Sequence, residues 1–187
     1  IGEILGVKAD FGFKPPYEPE GRLFNPEMGG GALLDIGVYP LFLATLVLGM
    51  PTEVTAKAYI GSTGVDEDTA IILRHQNGAL SHLHTTIRMG TKSEAFIYGE
   101  TGTIHFHSRF HEMTSMSLLR EGKRPEFFQF NQEIHGYTFE AQEVMRCVSA
   151  GLTESPGLEL DYTLARMELL DEIRRQIGLS FPMENVE

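Results

Sequence analysis

The stretch Gly29-Gly30-Gly31-Ala32-Leu33-Leu34-Asp35-Ile36-Gly37-Val38-Tyr39-Pro40-Leu41-Phe42-Leu43-Ala44-Thr45-Leu46-Val47-Leu48-Gly49 is apolar on nearly every side of a helical wheel. A helix of that kind is buried on several sides or lies in a membrane. The charge-free run 36–52 is broken by Gly37, Pro40, Gly49 and Pro51. A bilayer asks for about 20 apolar residues in a row, so a buried core helix is the expected reading. Pro40 cannot donate to the Ile36 carbonyl, so the helix either kinks there or begins its regular part there. Gly49 and Pro51 end it.

The flanks show what buries this helix. Upstream, Ile4–Phe13 reads as a buried strand, followed by a loop rich in proline and glycine from Tyr17 to Met28. Downstream, seven runs read as strands: Thr52–Ile60, Thr69–His75, Ala79–Arg88, Lys92–Tyr98, Thr103–His107, Ser115–Arg120 and Glu126–Phe130. Asn77-Gly78, Gly99 to Gly102 and Glu121 to Lys123 are hairpin turns between them. Short turns make neighbours antiparallel, so a meander in one large sheet is expected. Thr55, Lys57 and Tyr59 alternate with Val54, Ala56, Ala58 and Ile60, which gives the sheet a polar and an apolar face.

Two helices close the chain. Phe139, Val144, Met145 and Val148 form the expected inner face of the first. Leu164, Met167, Leu170, Ile173 and Ile177 form that of the second, with Asp161 as its expected cap. The fold class is therefore α+β: a large open-faced, mostly antiparallel sheet with helices packed on one face.

Composition narrows the function. The chain has 187 residues, 15 Lys plus Arg against 26 Asp plus Glu, and a net charge of −11. Such a balance argues against nucleic acid, which needs a basic face, and against an anionic membrane surface. Cys147 is the one cysteine, so no intrachain disulfide forms and a reducing, cytoplasmic setting is expected. No basic segment precedes an apolar run at the start, so no secretory leader is expected. The chain opens on Ile1 and enters a strand almost at once, as expected of the second part of a longer protein.

Asp35 and Tyr39 are four apart and share one helix face. A carboxylate beside a phenol can orient a polar ligand or move a proton. Asp35 equally suits a helix cap, and Tyr39 a core aromatic with a satisfied hydroxyl. The three glycines permit close approach by a ligand or by another segment. His82 and His84 point to one strand face, as do His105 and His107, with His111 nearby. Each pair needs a third ligand to hold zinc, and no Cys or acidic residue joins either at a metal-site spacing, so they are expected to line the polar face. Cys147 reads as a small core residue, and Glu168, Asp171, Glu172, Arg174 and Arg175 as a solvated helix face. Neither GxGxxG nor GxxxxGK[ST] nor GxSxG occurs, so no dinucleotide pyrophosphate is held by a glycine-rich loop of this chain.

Asn25-Pro26 followed by Gly29-Gly30-Gly31-Ala32-Leu33-Leu34-Asp35-Ile36-Gly37-Val38-Tyr39-Pro40 resembles the motif that opens the long helix of the glucose–fructose oxidoreductase/inositol dehydrogenase/rhizopine-catabolism (Gfo/Idh/MocA) family. Ile97-Tyr98-Gly99-Glu100-Thr101-Gly102-Thr103-Ile104 resembles its later strand–turn–strand signature. The start Ile1-Gly2-Glu3-Ile4 and the tail from Gly136 to Arg174 are also similar to it.

The resemblance implies the substrate-binding and oligomerisation domain (residues 1–187) of an NAD- or NADP-dependent oxidoreductase acting on a sugar, polyol or diol. The family's Rossmann domain and its Glu-Lys-Pro lysine lie outside this chain, so the chain alone is expected to be inactive and to hold no cofactor-binding residue. Asp35 matches the family aspartate near the reacting carbon. Tyr39 sits where many members have histidine, a departure that resembles the branch containing glucose–fructose oxidoreductase and dihydrodiol dehydrogenase, where tyrosine is usual. Arg22, Asn25 and Lys8 are the expected substrate-binding residues, and no metal is expected. The expected partners are a small-molecule substrate and a second copy through the sheet face, giving a homodimer or larger form, with no nucleic acid and no membrane. A non-catalytic ligand-binding or oligomerisation module on the same fold is the rival reading.

Overall fold

A computed structural model describes residues 1–112, 114–130 and 136–185. Eight strands among them form one sheet: β1 (Ile4–Gly12), β2 (Pro51–Ile60), β3 (Asp66–His75), β4 (Leu80–Thr86), β5 (Ala95–Gly99), β6 (Gly102–Phe106), β7 (Ser115–Arg120) and β8 (Glu126–Gln129). Their order is β2-β3-β4-β1-β5-β6-β7-β8. Every pairing is antiparallel except β1 with β4, which is parallel. The expected meander is thus split in the middle by the first strand. Local turn signals carry no trace of this, because β1 reaches its place through long-range pairing.

The link from β4 to β5 has to step past the end of β1, and it is bound there. The Thr91 N–H donates to the Gly12 carbonyl at 3.0 Å, and the Ser93 N–H donates to the Asp10 carboxylate at 3.0 Å. This use of residues 91–94 delays β5, which starts at Ala95 and not at Lys92.

The two faces of the sheet differ residue by residue. Ala56, Ile71, Leu83, Ala9, Ala95, Phe106, Met116 and Phe128 lie side by side across all eight strands. All but Phe128 belong to the main core or pack against it. One residue along, Thr55, Ile72, His82, Lys8, Phe96, His105, Ser117 and Phe127 form the matching row on the other, open face. The alternation expected for Val54 to Ile60 holds through Tyr59; a register shift between Tyr59 and Ile60 leaves Ile60 exposed.

The covered face carries a π-helical turn, Leu33–Gly37, which runs into α1 (Val38–Leu48). Pro40 is the third residue of α1, just after the π turn, so the regular part of the helix begins next to it. By length and composition the segment Pro26–Leu48 could cross a membrane, but 56% of that window is buried in the protein. Leu33, Leu41 and Ala44 pack into the core, so the sheet accounts for the apolar run. α3 (Leu160–Ile177) covers the β2 edge. Gln176 completes that edge: its Oε1 accepts from the Ala56 N–H and its Nε2 donates to the Val54 carbonyl, both at 2.9 Å. An edge strand capped in this way offers fewer free groups to another chain.

The closing helices depart from the expected inner faces. Leu170 and Ile173 are buried as expected, joined by Leu169, whereas Leu164 and Met167 are exposed. Asp161 lies inside the first turn of α3; the cap position is Glu159. In α2 (Tyr137–Ser149) the residues Phe139, Val144, Met145 and Val148 are all exposed, and Cys147 alone is buried. Helical periodicity marks an apolar stripe but does not say that the stripe is covered.

Candidate functional site

The loop 13–31 crosses the end of the covered face and returns to the glycine run before the π turn. The Asn25 side chain accepts from the Glu27 N–H at 2.9 Å and caps a 3₁₀ turn, Pro26–Met28. Its carbonyl accepts from the Gly30 N–H at 3.1 Å. Asn25 therefore shapes the loop that presents Arg22. The glycines serve another segment: a Cβ on Gly30 would lie 2.9 Å from the carbonyl oxygens of Arg22, Leu23 and Asn25. Gly31 has φ +119°, and a Cβ there would lie 2.3 Å from Asp66 Oδ1.

This packing brings Arg22 onto Asp35. The guanidinium Nη1 donates to Asp35 Oδ1 at 2.5 Å. Asp35 raises the Arg22 guanidinium above its ordinary value through this hydrogen bond and its charge. The Asp35 side chain is 19% exposed and that of Arg22 is 62% exposed, so the pair opens to the surface. Asp35 caps nothing; the residue before the π turn, Ala32, has no side-chain cap of its own. The Leu33 N–H is taken instead by Asp66, from β3.

Tyr39 follows one turn later and is 42% exposed, so it is no core aromatic. Its ring tilts against two others: Phe11 of β1, centroids 5.5 Å apart, and His111, 5.4 Å away. Phe11 and His111 stack on each other at 4.3 Å and 12°. Burial lowers the His111 imidazole below the ordinary histidine value, and its Nδ1 is buried without a hydrogen-bond partner. The result is an ion pair and a phenol beside a flat aromatic shelf. A carboxylate held by arginine orients hydroxyl groups, a phenol gives or takes a proton, and an aromatic face accepts the apolar side of a ring.

Of the expected residues, Arg22 meets Asp35, Asn25 shapes the loop that presents Arg22, and Tyr39 lies four positions after Asp35 beside Phe11 and His111. Lys8 does not join them: it lies on the open face, in register with His82 and Phe96. The parity of β1 decides this, because Val7, Ala9 and Phe11 face the helices and Lys8 and Asp10 face away. The histidines divide likewise. His82 and His84 lie on the open face, where His84 Nε2 is 3.0 Å from Asp68 Oδ1. His105 and His107 lie there too, with His107 bonded to Ser117 at 2.8 Å. Among the described residues no group of three or more His, Cys, Asp or Glu is placed to hold a metal ion. Phe11, Asp66 and the role of His111 had no local signal, since each comes from an element distant in sequence.

The chain is similar to known proteins over nearly its whole length. The trans-1,2-dihydrobenzene-1,2-diol dehydrogenase of Xenopus tropicalis is 33% identical over 97% of this chain and 57% of its own length. The scyllo-inositol 2-dehydrogenase (NADP(+)) IolU of Bacillus subtilis is 28% identical over 86% of this chain and 48% of its own. The chain thus spans about half the length of the curated relatives it matches. Among solved structures, the aldose-aldose oxidoreductase of Caulobacter crescentus, complexed with glycerol, shares the fold with a TM-score of 0.81 at 20% identity, over 94% of this chain and 53% of its own. A 3-ketoreductase from Actinomadura kijaniata, in complex with NADP and TDP-benzene, superposes with a TM-score of 0.79 at 25% identity, over 95% and 55%. The profile of the GFO/IDH/MocA C-terminal domain matches residues 1–105, the part that holds β1, the glycine run, the π turn and α1. The motif and the profile agree, and the chain belongs to the GFO/IDH/MocA C-terminal domain family.

Proposed function

We propose that this chain is the substrate-binding and oligomerisation domain of an NAD- or NADP-dependent oxidoreductase that acts on a sugar, polyol or diol. The observation that carries the reading is the Arg22–Asp35 ion pair one turn before an exposed Tyr39, on a domain of this family. The relatives' substrates, a cyclic diol and an inositol, are both carbon rings bearing neighbouring hydroxyls, which suits a polar pair beside an aromatic shelf.

The chain has no glycine-rich dinucleotide loop. The cofactor is therefore held mainly by residues outside it, and the surface around Tyr39 is the side that meets substrate. When bound, the nicotinamide accepts or returns the hydride of the reacting carbon. Asp35, fixed by Arg22, accepts a hydrogen bond from a substrate hydroxyl and sets which hydroxyl reaches Tyr39. The Tyr39 phenol, as phenolate, takes the hydroxyl proton during oxidation and, as phenol, returns it to the carbonyl oxygen during reduction.

The open face supports self-association. It exposes Tyr59, Ile72, Tyr98, Leu119 and Phe127 across the sheet, and a second copy would cover them by two-fold pairing. A sedimentation measurement giving a clean monomer would exclude that part. The free Cys147 and the acidic surface suit a cytoplasmic protein that binds neither nucleic acid nor membrane.

The test is turnover of the intact protein with NAD or NADP and a panel of dihydrodiols, inositols and aldoses, read as reduced nicotinamide absorbance. Asp35→Asn is expected to lower kcat/KM by about 10²-fold or more. A variant with unchanged turnover would remove Asp35 from the chemistry. The absence of turnover on the whole panel would favour the ligand-binding module.

A further inference from the structure

Asp66 opens β3, and its side chain is fully buried. Its Oδ2 accepts from the Leu33 N–H at 2.9 Å and from the Thr69 hydroxyl at 2.7 Å, while Oδ1 has no hydrogen-bond partner. Leu33 is the first residue of the π turn. On the other side of the same peptide, the Thr85 hydroxyl of β4 donates to the Ala32 carbonyl at 3.2 Å. The peptide that starts the turn is thus held by two strands at once. Gly31, with no Cβ, is what lets the chain pass against the carboxyl.

A π turn spaces its side chains differently from an α-helix, and such turns recur at functional sites. Asp35 is the third residue of this one, and Tyr39 the second of the helix that continues it. A slip at Leu33 is carried to both, because the turn and α1 are continuous. We infer that Asp66 is a positioning residue for the Asp35–Tyr39 pair: by holding the Leu33 N–H it fixes where the π turn begins and so where both side chains point. The anchoring stands on the geometry alone; its bearing on catalysis rests on the function proposed above.

The charge state of Asp66 gives a handle on this coupling. Burial pushes its carboxyl up to about 6. The groups acting on it are the Thr69 hydroxyl and the N–H groups of Leu33 and of Asp66 itself, none of them charged. A carboxylate holds an N–H more tightly than a neutral acid does, so the anchor strengthens as pH rises through that value.

The experiment is backbone amide NMR of the intact protein between pH 4 and 8, with and without Asp66→Asn. In the wild type the amides of Leu33, Asp35 and Tyr39 are expected to share a titration with its midpoint near pH 6, and Asp66→Asn should abolish it. Amides of Asp35 and Tyr39 that ignore this midpoint in the wild type would overturn the inference, whether or not the variant folds. Persistence of the midpoint in Asp66→Asn would overturn it as well. In kinetics, Asp66→Asn is expected to lower kcat about tenfold or more and to remove an inflection near pH 6, with the cofactor KM unchanged. An unaltered pH profile would overturn the link to catalysis. A wild type without oxidoreductase activity would defeat the proposed function, and the NMR result would still decide the anchoring.

Discussion

α1 and α2 both carry apolar residues at helical spacing and end in opposite situations. In α1 the residues Leu41, Leu43 and Ala44 are buried, and the turn before it is held by side chains from β3 and β4. In α2 the residues Val144, Met145 and Val148 are 60–71% exposed. The difference lies in what each meets. α1 comes between β1 and β2 in the chain and lies across a sheet whose inner row is apolar. α2 comes after the sheet is complete, and among the described residues it buries only Cys147 within the chain. An apolar stripe is thus a demand for a partner, and the fold decides whether the demand is met.

The sharpest test of this contrast is cavity formation. Leu41→Ala, at 1% exposure, is expected to cost about 2–5 kcal/mol in denaturant unfolding. A loss below 1 kcal/mol would mean that α1 is not the seam of the core.

Next comes the anchor of the π turn. The folded value for Asp66 lies near 6, above the ordinary 3.8, so its ionised form is disfavoured in the fold. Its contribution to stability is full below pH 3.8 and is lost as pH rises through 6, an amount of about 3 kcal/mol. Unfolding measured from pH 3.5 to 7.5 should show that slope in the wild type and not in Asp66→Asn. Equal slopes would place the burden on other groups.

A smaller effect joins the helices. The Tyr162 hydroxyl of α3 donates to Thr45 Oγ1 of α1 at 2.8 Å, and Thr45 is itself buried. Tyr162→Phe should cost about 1 kcal/mol in the same assay. The smallest effect belongs to α2: Val148→Ala, at 71% exposure, should leave the stability of this chain within about 0.5 kcal/mol. A larger loss would show that its stripe is covered in solution.

Much of this molecule was legible without coordinates. Alternation fixed which of Val54 to Tyr59 face inward, and turn residues placed the hairpins around Asn77-Gly78 and Gly99 to Gly102. The glycine–aspartate motif pointed to the family. These are local matters, governed by periods of two and about four residues and by the backbone freedom of glycine.

The insertion of β1 between β4 and β5, the removal of Lys8 to the open face and the assembly of Phe11, Tyr39 and His111 are of another kind. So is the capture of the Leu33 N–H by a carboxylate 33 positions away. Each joins segments that no local rule connects. Only burial of the sheet's apolar row, which pulls distant segments into one core and leaves their polar groups to find partners there, decides them.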